Sequence, residues 1–151
     1  MELNLSSCGL IMINLYNYPK YEVINVSNNY LKHITVADHI KKLYCYNNEI
    51  TKLNTKNLEI LHCSENCISK LKLGENLREL DIRNNRLCEL DLSKCINLEY
   101  LDCTDNLLRE LDLRHPHKIK EIICNNDKPL IVKSYYPIDC IGNIKLEIYD
   151  V

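Results

Sequence analysis

Residues 76–117 write nearly the same line twice: NLRELDIRNNRLCELDLSKCI runs straight into NLEYLDCTDNLLRELDLRHPH, 21 residues each. A fixed period of this length constrains the fold more than any other property of the chain. The shared frame is Leu77, Leu80, Ile82, Asn85, Leu87, Leu90 and Leu92, then Leu98, Leu101, Cys103, Asn106, Leu108, Leu111 and Leu113. It extends upstream through Leu58, Leu61, Cys63, Asn66, Ile68, Leu71 and Leu73, and through Ile40, Leu43, Cys45, Asn48, Ile50 and Leu53. Before these come Tyr21, Ile24, Val26, Asn29, Leu31, Ile34 and Val36, and a first copy at Leu3, Leu5, Cys8, Leu10, Ile13 and Leu15. Ile119, Ile122, Cys124 and Asp127 begin a seventh copy that then loses the frame, with Asp127 in the Asn slot; Thr55 replaces the last apolar residue of its own copy.

Each L-x-L places its side chains on opposite faces, which is strand periodicity. A repeat of 18 to 21 residues holds two such segments and a turn, with no room for a full helix. One repeat is therefore one coil, and no coil can bury its apolar row alone. Stacking the coils about 4.8 Å apart buries the rows together. The expectation is a mostly β solenoid of about seven coils, roughly 30–35 Å long at that spacing, with short extended segments opposite the sheet and little or no helix. It forms a single domain over 1–151, with repeats to about 132 and a cap over 133–151, where Ile144, Leu146 and Ile148 alternate like one strand.

The pattern L-x-x-L-x-L-x-x-N-x-L resembles the leucine-rich repeat family, an α/β-type repeat class. The second half, L-x-x-L-D-L at Leu87–Leu92 and Leu108–Leu113, resembles its short 21-residue IRREKO class. With the abundance of Ile, Asn, Lys and Tyr and the absence of Phe and Trp, that likeness points to a giant amoebal DNA virus or another AT-rich genome. The resemblance implies a parallel sheet on the concave side of the solenoid and protein binding on that sheet.

The Asn of each turn can both donate and accept, so Asn29, Asn48, Asn66, Asn85 and Asn106 are expected to stack as a ladder that satisfies turn backbone inside the coil. Cys45, Cys63, Cys103 and Cys124 share the slot that Val26 and Ile82 hold elsewhere, so they read as small buried hydrophobes. Cys8 stands at the Asn position of the first coil. Cys67, Cys88, Cys95 and Cys140 lie outside the core slot and are expected to be partly exposed. Nine cysteines without a basic, cleavable N-terminal segment suit a reducing, intracellular compartment: host cytoplasm or virion if the source is viral. Cys63-x3-Cys67 is the only close cysteine pair, and the frame points Cys63 inward and puts Cys67 in the turn, so no zinc site is expected; His115-Pro116-His117 reads as a solvated turn. No metal or cofactor is expected.

Residues beside the core leucines of each strand should face solvent. Among them Tyr44, Tyr46, Ile60, His62 and Tyr100 put apolar and aromatic bulk where the fold does not ask for it, beside Asp81, Arg83 and Asp102. This set is the expected partner-binding surface, since aromatic side chains on a rigid face are typical anchors; the alternative is an aromatic ladder that merely supports adjacent strands. Residues 31–75 carry seven lysines against five acids, and residues 76–113 five bases against nine acids. Lys52, Lys70 and Lys72 flank one back segment, and Glu89, Asp91, Glu110 and Asp112 the next. Such a gradient either steers a partner with a basic patch or is simply a solvated face.

No Ser-His-Asp arrangement, phosphate loop or metal motif is written, so no enzyme is expected. The net charge of −2 supplies no field for nucleic acid, and no apolar run is long enough to span a bilayer. The expected function is a non-catalytic protein-interaction module with a protein partner, a host protein if the source is viral. The alternative is a structural, self-assembling repeat protein, with a homodimer at the uncapped N-terminal end.

Overall fold

The computed structural model describes residues 1–115 and 117–150. Eight coils follow one another. The first holds β1 (Glu2–Asn4), β2 (Ile13–Asn14) and a 3₁₀ turn at Leu15–Asn17. The second holds β3 (Val23–Asn25) and β4 (Ile34–Thr35), the third β5 (Lys42–Tyr44) and β6 (Lys52–Asn54), and the fourth β7 (Ile60–His62) and β8 (Lys70–Lys72). The fifth has only β9 (Glu79–Asp81). The sixth has β10 (Tyr100–Asp102) and β11 (Glu110–Leu113), the seventh β12 (Glu121–Cys124) and β13 (Leu130–Ser134), and the eighth β14 (Asp139–Gly142) and β15 (Ile144–Ile148). There is no α-helix among the described residues.

The first strands of all eight coils form one parallel sheet in chain order. Its register puts Ile24, Leu43, Leu61, Leu80, Leu101 and Ile122 side by side, and each is fully buried. Val26, Cys45, Cys63, Ile82, Cys103 and Cys124 make a second buried column beneath the turns, and Leu31, Ile50, Ile68, Leu87 and Leu108 a third. Burying one such side chain stabilises by about 1.5–3 kcal/mol. The thiols therefore fill the same slot as Val and Ile. The Cys45 sulfhydryl and desolvation hold the Cys63 thiol well above its ordinary pKa.

Four features differ from the sequence-based expectation. Residues 133–150 do not close the end as a separate cap but wind an eighth coil, β14 pairing with β12 and β15 with β13. This coil needs Gly142, at φ 103°, because a Cβ there would stand 2.2 Å from the Cys124 carbonyl oxygen. The fifth coil lacks the second extended segment expected of each repeat: Cys88–Leu92 forms no strand, and it separates the β2–β4 and β6–β8 pairs from the set β11, β13 and β15. In the seventh coil Asn126, not position 127, is buried in the turn; its Oδ1 accepts the Asn106 N–H at 2.9 Å, and Asp127 is exposed. The turn after Cys124 reaches its Asn one residue sooner than the others do. Finally, Cys95 is buried. It occupies the return turn where the second coil has the buried Ala37: Cys95 accepts from the Leu98 N–H as Ala37 does from Ile40. Both are small enough to fit beneath that turn.

Each regular turn has a fixed chemistry. Asn28, Asn47, Glu65, Asn84 and Asp105 take left-handed φ of 51–57°, one residue before the buried Asn. Asn and Asp tolerate that region because their short side chains bond locally. The following Asn then spans two coils. Asn48 Oδ1 accepts from Leu31, Asn66 from Ile50, Asn85 from Ile68 and Asn106 from Leu87, at 2.8–3.1 Å. Their Nδ2 groups donate to carbonyls of their own coil and of the coil before. Asn29 does the same for the first coil, accepting from Cys8 and Leu10.

Candidate functional site

The strand residues that do not point into the core line the open face of the eight-stranded sheet in three rows. Register sets Val23, Lys42, Ile60, Glu79, Tyr100 and Glu121 in one row and Asn25, Tyr44, His62, Asp81, Asp102 and Ile123 in the next. Ser27, Tyr46, Ser64, Arg83 and Thr104 follow just past the strand ends.

The middle row has a structural task in four coils. Asn4, Asn25, Asp81 and Asp102 each accept, through Oδ1, the backbone N–H two residues ahead, at 3.0–3.1 Å. Such Asx turns end the strand and send the chain into the bend. Asp81 and Asp102 therefore do not stand in solvent as their alternation suggests: each keeps only 7% of its exposure. Arg83 lies over them. Its guanidinium grips Asp81 through Nε at 2.9 Å and Nη2 at 2.7 Å, and Nε reaches Asp102 at 3.5 Å. The bonds to Asp81 push the Arg83 pKa further up. The pair of acids is thus neutralised mainly by one cation, which is itself half exposed. Ser27 and Ser64 are likewise buried, in the crowded bend.

The third and fourth coils abandon this device. Tyr44 and His62 hold the slot on adjacent strands, and neither can cap a turn through an Oδ. Their rings meet edge to face, centroids 5.1 Å apart. His62 Nε2 lies 2.7 Å from Glu79 Oε1 on the next strand. Burial raises the Tyr44 hydroxyl pKa, with Glu79 adding to it. Tyr100 responds to burial in the same way, helped by Asp102 and Asp81. Tyr44, Tyr46, Ile60, His62 and Tyr100 are all half-buried. His62, Glu79, Asp81, Arg83 and Tyr100 enclose a shallow cleft in the middle of the face.

The acids of the cleft are engaged, Asp81 and Asp102 by Arg83 and Glu79 by His62. No group of three His, Cys, Asp or Glu side chains among the described residues could hold a metal ion. The histidines around position 116 are half-buried rather than solvated: the His115 and His117 rings stand 5.9 Å apart, His117 Nδ1 accepts the Ile119 N–H, and burial lowers the His117 pKa. Pro116 between them lies outside the described residues. Among the described residues no helix is long and apolar enough to cross a membrane.

The Leucine Rich Repeat family model matches residues 76–96, the first of the two adjoining 21-residue lines. Together with the stacked coils, this supports a leucine-rich repeat family. No curated protein matches the chain. Among solved structures, the functional domain of InlJ from Listeria monocytogenes, described as including a cysteine ladder, is similar at 22% identity and a TM-score of 0.48. The likeness covers 99% of this chain and 46% of that one, so the chain spans less than half the length of that structure.

Proposed function

We propose that the chain is a non-catalytic protein-binding module whose partner docks on the open face of the large sheet, over Tyr44, Tyr46, Ile60, His62 and Tyr100, with Arg83 at the margin. One observation carries this reading. Where four coils use the middle row to cap their own turns, two adjacent coils carry an aromatic ring and an imidazole instead. The strand ends there manage without the cap, so the fold does not require these side chains. Aromatic groups already half-buried in the sheet lose little entropy on binding. In this reading Asp81 and Asp102 do not touch the partner; they hold Arg83 in place. The free state of all nine thiols fits an intracellular, reducing setting.

The test is affinity capture with the immobilised chain against a Tyr44→Ala/Tyr100→Ala variant whose β-sheet circular dichroism and melting are checked first. Proteins retained by the parent and lost from the variant are expected. The same set retained by both would place binding elsewhere.

Self-association is the second reading. Met1, Ile11 and Met12 of the first coil are 71–75% exposed beside the half-buried Leu3, Leu5 and Leu10. Leu5→Lys should then disperse an assembly seen by light scattering, and a concentration-independent monomer rules the reading out.

A further inference from the structure

Charges at the start of the front strands alternate from coil to coil: Glu22, Lys41, Glu59, Arg78, Glu99 and Lys120. Lys41 pairs with Glu22 at 3.0 Å, and Lys120 pairs with Glu99. Elsewhere Lys32, Arg83, Arg114, Lys133 and Lys145 also meet carboxylates. Among the described residues other bases, Lys42 and Arg78 included, close no ion pair, but the back of the third and fourth coils goes further and sets lysines side by side. There β6 and β8 are paired in register with Lys52 directly beside Lys70, and Lys72 follows on the same face. Lys56 and Lys94 line the adjoining cleft with Lys72, and Asp91 is the one acid among its described residues. Among the described residues, Lys52, Lys56, Lys70 and Lys72 have no carboxylate within the 4.0 Å of an ion pair. Like charges directly opposite on neighbouring strands destabilise a sheet. The cost is avoidable here: the chain places acids beside bases on its front edge.

We propose that this lysine stack is a second binding site, separate from the open face, for an extended acidic segment of a partner protein carrying carboxylates at alternate positions. The spacing sets the ligand. Lys70 and Lys72 lie two residues apart, about 6.8 Å along the strand, which is also the distance between alternate side chains of an extended peptide. Lys52 lies one strand away, about 4.8 Å to the side, so a single carboxylate can sit between Lys52 and Lys70. Beyond β8 the sign reverses, because Glu89, Asp91, Glu110 and Asp112 occupy the next two coils. The positive field is therefore about two strands wide, roughly 10 Å. A long polyanion such as RNA would have to cross into that acidic ground, whereas a short acidic segment fits within the patch.

The experiment is fluorescence anisotropy with a labelled alternating glutamate–alanine peptide at low salt. A glutamine–alanine peptide and an oligouridylate of equal length serve as comparisons. The glutamate peptide is expected to bind, the glutamine peptide to lose at least about tenfold in affinity, and binding to weaken as salt rises. Lys70→Glu is expected to lower peptide affinity about tenfold or more while raising Tm by about 1–3 °C, because it relieves the like-charge pair. Lys42→Gln, on the opposite face, should leave peptide binding unchanged. Any one of three results overturns the proposal: no binding of the glutamate peptide, Lys70→Glu binding as the parent does, or the oligouridylate binding as tightly as the peptide. Because the lysine substitution should not weaken the fold, lost binding cannot be confused with unfolding, and failure here leaves the open-face reading intact.

Discussion

Replacing Asn85 by alanine tests the turn chemistry most directly. Its Oδ1 accepts the Ile68 N–H at 2.8 Å, and its Nδ2 donates to Cys63 O at 3.0 Å and to Ile82 O and Arg83 O at 3.1 Å. The acceptors are not orphaned when the amide is removed. Cys63 O still receives Asn66 Nδ2, Ile82 O still receives Asn106 Nδ2, and Arg83 O still receives the Glu65 N–H. The Ile68 N–H has no such reserve, and Ile68 is fully buried. The cost is therefore one orphaned donor, about 1–3 kcal/mol, plus about 1 kcal/mol for the lost donations, or about 2–4 kcal/mol in total. Asn85→Asp should be no milder. It keeps the acceptor for Ile68 but turns a carboxylate toward three carbonyl oxygens, and burying that charge unpaired is costly. Equilibrium urea unfolding measures both, read as a shift in midpoint at unchanged slope. A loss below about 0.5 kcal/mol in the alanine variant, or an aspartate variant as stable as the parent, would refute the ladder as the source of turn stability.

Glu65 occupies a left-handed position at φ 53° that Asn or Asp fills in the neighbouring turns, so Glu65→Asn should stabilise by about 0.5–1 kcal/mol in the same urea assay. Gly142→Ala should destabilise by more than about 2 kcal/mol and expose the eighth coil to protease first, given the 2.2 Å approach to the Cys124 carbonyl. In native buffer a maleimide should label Cys8 and Cys88 fastest and Cys67 and Cys140 more slowly, leaving Cys45, Cys63, Cys95, Cys103 and Cys124 protected until denaturant is added; intact-mass spectra count the adducts. Burial pushes the Cys95 thiol up to about 11. A thiol whose folded pKa exceeds its unfolded value of about 8.5 contributes stability that is intact below that lower value and fades as pH climbs toward 11. Parent and Cys95→Ala should accordingly differ less at pH 10.5 than at pH 8 in thermal melts.

The architecture was legible because period, alternation and the turn Asn all demand one thing, a coil that buries its row only against its neighbours. Other features depend on what alternation cannot see. It assigns Asp81 and Asp102 to the open face correctly but is blind to Arg83 folding over them, a contact made by a residue two positions on. The left-handed residue of each turn had a written signal in Asn28-Asn29, Asn47-Asn48, Asn84-Asn85 and Asp105-Asn106: the doublet joins a residue that tolerates positive φ to one that bonds across coils. The same doublet, Asn125-Asn126, also marks the buried Asn of the seventh coil, which counting from Cys124 by the usual interval misses. The eighth coil was hidden because its strands lack leucine at most frame positions, and Cys140, Ile144 and Leu146 suffice to continue the columns. Cys95 looked exposed only because the return turn has no fixed apolar letter; Ala37 and Cys95 share size rather than identity.

The break in the back sheet and the arrangement of charge belong to one argument. On the front edge, acid and base alternate from the second coil to the seventh, so neighbouring coils attract one another there. On the back, like charges sit together first, Lys52 beside Lys70 in the third and fourth coils, then Glu89 and Asp91 in the fifth and Glu110 and Asp112 in the sixth; alternation returns only with Lys133, beside Asp112 and paired with Glu110. In ideal register Lys70 and Lys72 would meet Glu89 and Asp91, yet no ion pair closes there among the described residues, because Cys88–Leu92 is the one back segment outside strand geometry. Asp91 instead stays exposed and accepts the Ser93 N–H of its own bend at 2.9 Å. The junction where opposite charges could have neutralised each other is thus the place where β6–β8 and β11–β13–β15, two of the three back sheets, fail to join. The front edge closes two of its charge pairs, Glu22–Lys41 and Glu99–Lys120, and the back strands of the later coils close Glu110–Lys133, while the lysines of the third and fourth coils stay open to an outside partner.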